Sequence, residues 1–145
     1  MEFSNDYALL NEIYLTGVMG VESIRGLLPK VKSPRFRTDL QRQNEQYQSV
    51  AQEADTALNQ MGKCPEEPCP SQLAMLKLGL YANSLCNRET SHLAEMMIQG
   101  SNMGILALTK VLNTYQEEDT PARALASRTL AMEEENIRRM KAYLQ

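Results

Sequence analysis

The chain has 145 residues, 43% of them apolar and 23% charged, with a formal net charge of -3. That length suits a single domain, residues 1–145, with a core large enough to stand without a disulfide or metal staple. A mildly acidic chain gains little non-specific attraction to nucleic acid or to an anionic membrane, and three cysteines cannot close a complete internal disulfide framework.

The opening residues Met1-Glu2-Phe3-Ser4-Asn5-Asp6 have neither the basic nor the apolar region of a signal peptide. The longest apolar stretches, such as Met103 to Leu108, fall far short of the roughly 20 residues that a membrane span takes. A cytoplasmic protein is expected. Ala, Leu, Gln, Glu, Met and Arg dominate and β-branched residues are few, which favours helices throughout.

Helix 1 is expected from about Asn5 to Leu28, capped by Asn5 or Asp6. Leu10, Ile13, Gly17, Val21, Ile24 and Leu28 recur at spacings of three and four and make an apolar stripe. A second stripe, Ala8, Glu12, Leu15, Met19, Glu22 and Gly26, carries two carboxylates. Pro29, Lys30 and Lys32 end the helix, and cations suit that end of its dipole.

Helix 2 opens at Ser33-Pro34, an N-cap followed by proline at the first helical position. Its buried face is expected to hold Phe36, Leu40, Tyr47, Val50, Ala51, Ala54, Leu58 and Met61, with Gly62 as the stop. Lys63-Cys64-Pro65-Glu66-Glu67-Pro68-Cys69-Pro70 must be a loop, because three prolines so close together forbid a helix. Cys64 and Cys69 are expected there as free thiols, with a local disulfide under oxidising conditions as the alternative.

One straight helix from Ser71 to Gln116 would run roughly 65 Å, too long for a domain of this size. A break is expected near Asn87-Arg88-Glu89-Thr90, with Thr90 or Ser91 capping the new start. This divides the segment into a helix from about Ser71 to Cys86 and another from about Ser91 to Tyr115. Cys86 is expected on a helix face or in the core. Gly100-Ser101-Asn102-Met103-Gly104 places two small residues four apart, which lets a neighbouring helix approach. The last helix opens at Thr120-Pro121, and its stripe is Leu125, Thr129, Leu130, Glu133, Ile137, Met140 and Leu144. The expected fold is all-α: an antiparallel up-and-down four-helix bundle with a broken third helix, or five helices if both parts are counted.

Four carboxylates, Glu12, Glu22, Glu95 and Glu133, lie on or beside apolar stripes. A buried carboxylate must be paired, protonated or bound to a metal. Di-metal bundles use a Glu from each of two helices and Glu-x-x-His from each of the other two. This chain has no Glu-x-x-His. It has His92-x-x-Glu95, in the reverse order, and Glu133-x-x-Asn136, with an amide in place of the imidazole. The candidate metal ligands are therefore Glu22, His92, Glu95 and Glu133. The competing reading is a core polar network of His92, Glu95, Asn102 and their neighbours. Lys30, Lys32, Arg35, Arg37 and Arg42 gather at the corner between helices 1 and 2, where they could hold an anion or an acidic partner; a solvated corner is the commoner explanation. No nucleophile elbow and no phosphate loop occurs, so no catalytic residue is assigned.

The run Ser91-His92-Leu93-Ala94-Glu95-Met96-Met97-Ile98-Gln99-Gly100-Ser101-Asn102-Met103-Gly104, together with Glu133-Glu134-Glu135-Asn136-Ile137 and the Leu-Leu-Pro-Lys at 27–30, resembles small ferritin-like helical-bundle proteins of Firmicutes, of clostridial type. The resemblance implies a ferritin-like bundle and, for many members of the wider superfamily, a di-iron carboxylate centre. Two functions are carried forward. One is a non-enzymatic structural or protein-interaction bundle, a homo-oligomer and most simply a dimer, with a degenerate metal site and no cofactor. The alternative is a metal-binding or redox protein that holds iron or another divalent metal through the carboxylates and the single histidine.

Overall fold

The computed structural model describes residues 2–85 and 89–145, with side chains at 6–77, 79–80 and 89–145. These residues are all-helical: α1 (Glu2–Leu27), α2 (Pro34–Gln60), α3 (Pro70–Leu85), α4 (Thr90–Thr114) and α5 (Pro121–Lys141), with a short 3-10 turn at Leu28–Lys30 after α1. Among the described residues no helix is long and apolar enough to cross a membrane.

The proline-marked starts form as expected. Ser33 Oγ accepts the Phe36 N–H at 3.2 Å, and Thr120 Oγ1 accepts the Arg123 N–H at 3.2 Å. Each cap satisfies one of the donors that a helix N-terminus leaves open. The end of α2 is a Schellman turn: Gly62 takes φ +73, Lys63 N–H reaches Leu58 O at 2.9 Å, and Gly62 N–H reaches Asn59 O at 3.0 Å.

Two expected caps do not form. α1 begins at Glu2, so Asn5 and Asp6 lie inside it, and the Asp6 carboxylate accepts the Tyr115 hydroxyl instead. The break before α4 falls at Glu89, the N-cap residue, which is extended and makes no side-chain cap bond. Ser91 Oγ is turned to the Gln145 N–H at 3.0 Å. Cys86 and residues 87–88 of the expected break lie outside the described residues.

Two apolar clusters build the core. The first joins Leu9, Leu10 and Ile13 of α1, Val50, Ala54 and Leu58 of α2, Leu108 of α4 with Tyr115 just beyond it, and Ala122, Leu125 and Ala126 of α5. The second joins Ile24 and Leu27, Phe36, Leu40 and Tyr47, Leu93, Ala94 and Met97, and Met140. The pairing shows direction: the early part of α1 meets the late part of α2, and the late part of α4 meets the early part of α5. α1 and α2 are thus antiparallel, as are α4 and α5.

Counted as five, successive helices alternate in direction; the four long helices α1, α2, α4 and α5 taken without α3 do not. α2 and α4 both start in the second cluster and end in the first. Residues 61–85 carry the chain back along α1. Glu66 N–H is bound by Asn11 Oδ1 at 2.7 Å, Tyr14 donates to Glu67 at 2.7 Å, and further along Leu80 lies against Gly26. α1 therefore touches all four other helices. That central place explains why it carries two apolar stripes, where a surface helix needs one.

Candidate functional site

Between the two apolar clusters lies a polar layer. Thr16, Gln43, Ser101, Thr129, Glu133 and Asn136 are all buried, and Glu133 is only 2% exposed. Glu133 arrives on the inner stripe of α5, one turn before Asn136. Tyr47 faces it from α2 and Ser101 from α4.

The Tyr47 hydroxyl donates to Glu133 Oε1 and lies 3.4 Å from Ser101 Oγ. Burial pushes the Glu133 carboxyl up to about 7, while the hydrogen bonds from Tyr47 and Ser101 pull the other way. Burial and the neighbouring Glu133 hold the Tyr47 phenol well above its ordinary value. Tyr47 therefore keeps its proton, and Glu133 keeps its own until the pH approaches about 7.

Three glycines make room for this pair. A Cβ on Gly20 would lie 2.4 Å from the Tyr47 ring, one on Gly17 would lie 2.6 Å from Tyr47 O, and one on Gly104 would lie 2.6 Å from Glu133 Oε2. Gly17 and Gly20 thus let α2 close onto α1. Gly104 admits a carboxylate rather than a helix, and among the described residues nothing lies within 4 Å of a Cβ on Gly100.

The adjoining level is less well satisfied. Gln43 and Asn136 are fully buried, yet among the described residues Gln43 Oε1 and Nε2 and Asn136 Nδ2 have no hydrogen-bond partner. Arg42 Nη2 reaches Asn136 Oδ1 at 3.4 Å and Asp39 Oδ1 at 3.0 Å, leaving its Nε unpartnered. A groove of about 380 Å³ runs outside this level between α2 and α5, lined by Arg42, Gln46, Ser49, Arg128 and Thr129 among others. Neither Tyr47 nor Glu133 lines it.

The four candidate ligands go to different places. Glu133 is buried at the centre. Glu22 pairs with Arg25 at 2.9 Å on α1. His92 is half-buried, and Glu95 is exposed. Among the described residues no group of three or more His, Cys, Asp and Glu side chains is arranged to hold a metal. The expected core network of His92, Glu95 and Asn102 is not what the fold buries: Glu95 and Asn102 are exposed, because the inner face of α4 is set by Leu93, Ala94, Met97, Ser101 and Leu108. Glu12 is half-buried, and burial raises its carboxyl. Cys64 and Cys69 are free and exposed.

The basic corner is partly absorbed into the fold. Arg37 donates to Val31 O at 2.8 Å, and Arg35 lies 5.6 Å from the centroid of the Tyr143 ring.

The apolar stripe of α2 predicts a buried Tyr47 but gives no place to Gln43. The signal was present: Gln43 falls between Leu40 and Tyr47 at the spacing that completes the stripe. No family model, curated protein or solved structure matches this chain.

Proposed function

We propose that the chain is a non-enzymatic structural or protein-interaction bundle of ferritin-like type, in which a Tyr47–Glu133 pair occupies the level where such bundles carry a metal centre. The observation that carries this reading is the partner set of Glu133: a phenol and a serine hydroxyl, at a position 2% exposed. Metal sites in bundles need several carboxylates or imidazoles facing one another. Here the inner carboxyl is met by hydrogen-bond donors.

The return path along α1 supports the ferritin-like assignment. Ferritin-like bundles have one long crossover connection between their helix pairs, and residues 61–85, which include α3, run along α1 as such a path would. A cytoplasmic homo-oligomer without a cofactor completes the reading.

The test is elemental analysis of the purified chain and of Glu133→Gln, with thermal melts in added Fe(II), Mn(II) or Zn(II). The expected result is sub-stoichiometric metal in both proteins and unchanged melting. One equivalent of metal, lost in Glu133→Gln, would replace this reading with the metal-binding one.

A further inference from the structure

The outer face of α4 is unusual for a solvated helix. Glu95, Gln99, Gly100, Asn102, Met103, Leu106, Lys110 and Asn113 are all exposed. Their spacings of three and four place them on one continuous stripe. Met103 is 72% exposed and Leu106 59%, and Gly100 between the ends adds no side chain to cover them. Single exposed apolar residues are ordinary. Two such residues one turn apart, beside a glycine, form an unpartnered apolar centre.

The charges on this stripe have a symmetry. Glu95 lies seven residues before Asn102, and Lys110 lies seven residues after Met103. Gln99 lies three before Asn102, and Leu106 three after Met103. The stripe therefore reads as acid, amide, apolar centre, apolar, base, balanced about the 102–103 peptide. Acid and base are about 22 Å apart along the axis at 1.5 Å per residue. Among the described residues neither Glu95 nor Lys110 takes part in an ion pair within the chain.

We propose that α4 packs antiparallel against α4 of a second copy of this chain, with a two-fold axis passing beside Asn102 and Met103. An isologous interface must be self-complementary under a two-fold rotation. Rotation about this axis brings Glu95 of one copy to Lys110 of the other, twice, and lays Leu106 across Gln99. Met103 then meets its own symmetry mate at the centre, where Gly100 lets the helices approach. A parallel pairing would instead set Glu95 against Glu95 and Lys110 against Lys110. The dimer rests on the reading of the chain as an interaction protein and identifies the surface that does the interacting.

Sedimentation velocity over a wide concentration range tests it. The intact chain is expected to dimerise reversibly and to dissociate further at high salt, since the end pairs are exposed. Met103→Lys is expected to be monomeric with an unchanged circular dichroism spectrum. Glu95→Lys alone and Lys110→Glu alone should each weaken the dimer by about tenfold, because each creates two like-charge contacts. The double variant Glu95→Lys with Lys110→Glu should return to within about twofold of the intact chain. A monomer at every concentration would overturn the proposal, as would a dimer indifferent to Met103→Lys or a double variant as weak as the singles. A monomeric result would also remove the homo-oligomer from the proposed function, but it would leave the Tyr47–Glu133 pair standing, because metal content tests that pair separately.

Discussion

Gly104 of α4 and Glu133 of α5 fit each other: a Cβ on the glycine would lie 2.6 Å from the carboxylate Oε2. The glycine is thus part of the space that holds a buried acid. Alanine at 104 should gain up to about 1 kcal/mol of helix propensity and lose more by displacing a carboxyl that Tyr47 holds. We expect Gly104→Ala to cost a net of about 1 kcal/mol in urea unfolding. In a Glu133→Ala background the same change should become neutral or stabilising. A cost of undiminished size in that background would show that the glycine serves something else.

Gly20→Ala should be more damaging. Its Cβ would meet three Tyr47 ring atoms at 2.4 to 2.6 Å. That ring is buried at 3% exposure and tied through its hydroxyl, so it cannot turn away. Overpacking of this kind costs about 1–3 kcal/mol. A thermal midpoint equal to that of the intact chain would contradict the close approach of α1 and α2.

Glu133 should make stability depend on pH. Its carboxyl titrates at about 7 in the folded chain against an ordinary 4.5. Below 4.5 both folded and unfolded states hold the proton, and its stabilisation is complete. As pH rises towards about 7, the unfolded chain gives up the proton first, so the folded state loses ground. Above about 7 the loss is complete, at about 3 kcal/mol. Glu133→Gln cannot titrate and keeps an acceptor for Tyr47. Its stability relative to the intact chain should therefore rise between pH 5 and 8. Asp39 is held low by Tyr143 and Arg42 despite its burial, and it acts in the opposite direction in both proteins, so the difference between them isolates Glu133. A constant difference across that range would contradict the raised value.

Thr120 makes two contacts at the start of α5. It caps the Arg123 N–H and lies 2.6 Å from the Tyr115 hydroxyl, which also donates to Asp6. Thr120→Ala should cost about 1–2 kcal/mol, and Thr120→Ser much less. Equal losses for the two in chemical denaturation would show that the hydroxyl is not what matters.

Much of the helix framework can be read from local chemistry. Ser33-Pro34, Thr120-Pro121, Gly62 and the proline loop mark starts and stops within the sequence that forms them, because capping and backbone dihedral limits act over a few residues. The stripe containing Glu133 also identified a buried acid. Its partners were not legible. Tyr47, Ser101 and Gly104 come from two other helices, and their convergence depends on how α2 and α4 are rotated against α5.

His92-x-x-Glu95 shows the same boundary from the other side. Residues three apart share a helix face, and that much was determined by the sequence alone. Which face turned inward was decided by tertiary packing: Leu93, Ala94 and Met97 take the core, which leaves His92 half-buried and Glu95 exposed. Periodicity specifies which residues travel together. Only the neighbouring helices, by burying the larger apolar area, choose the side that meets water.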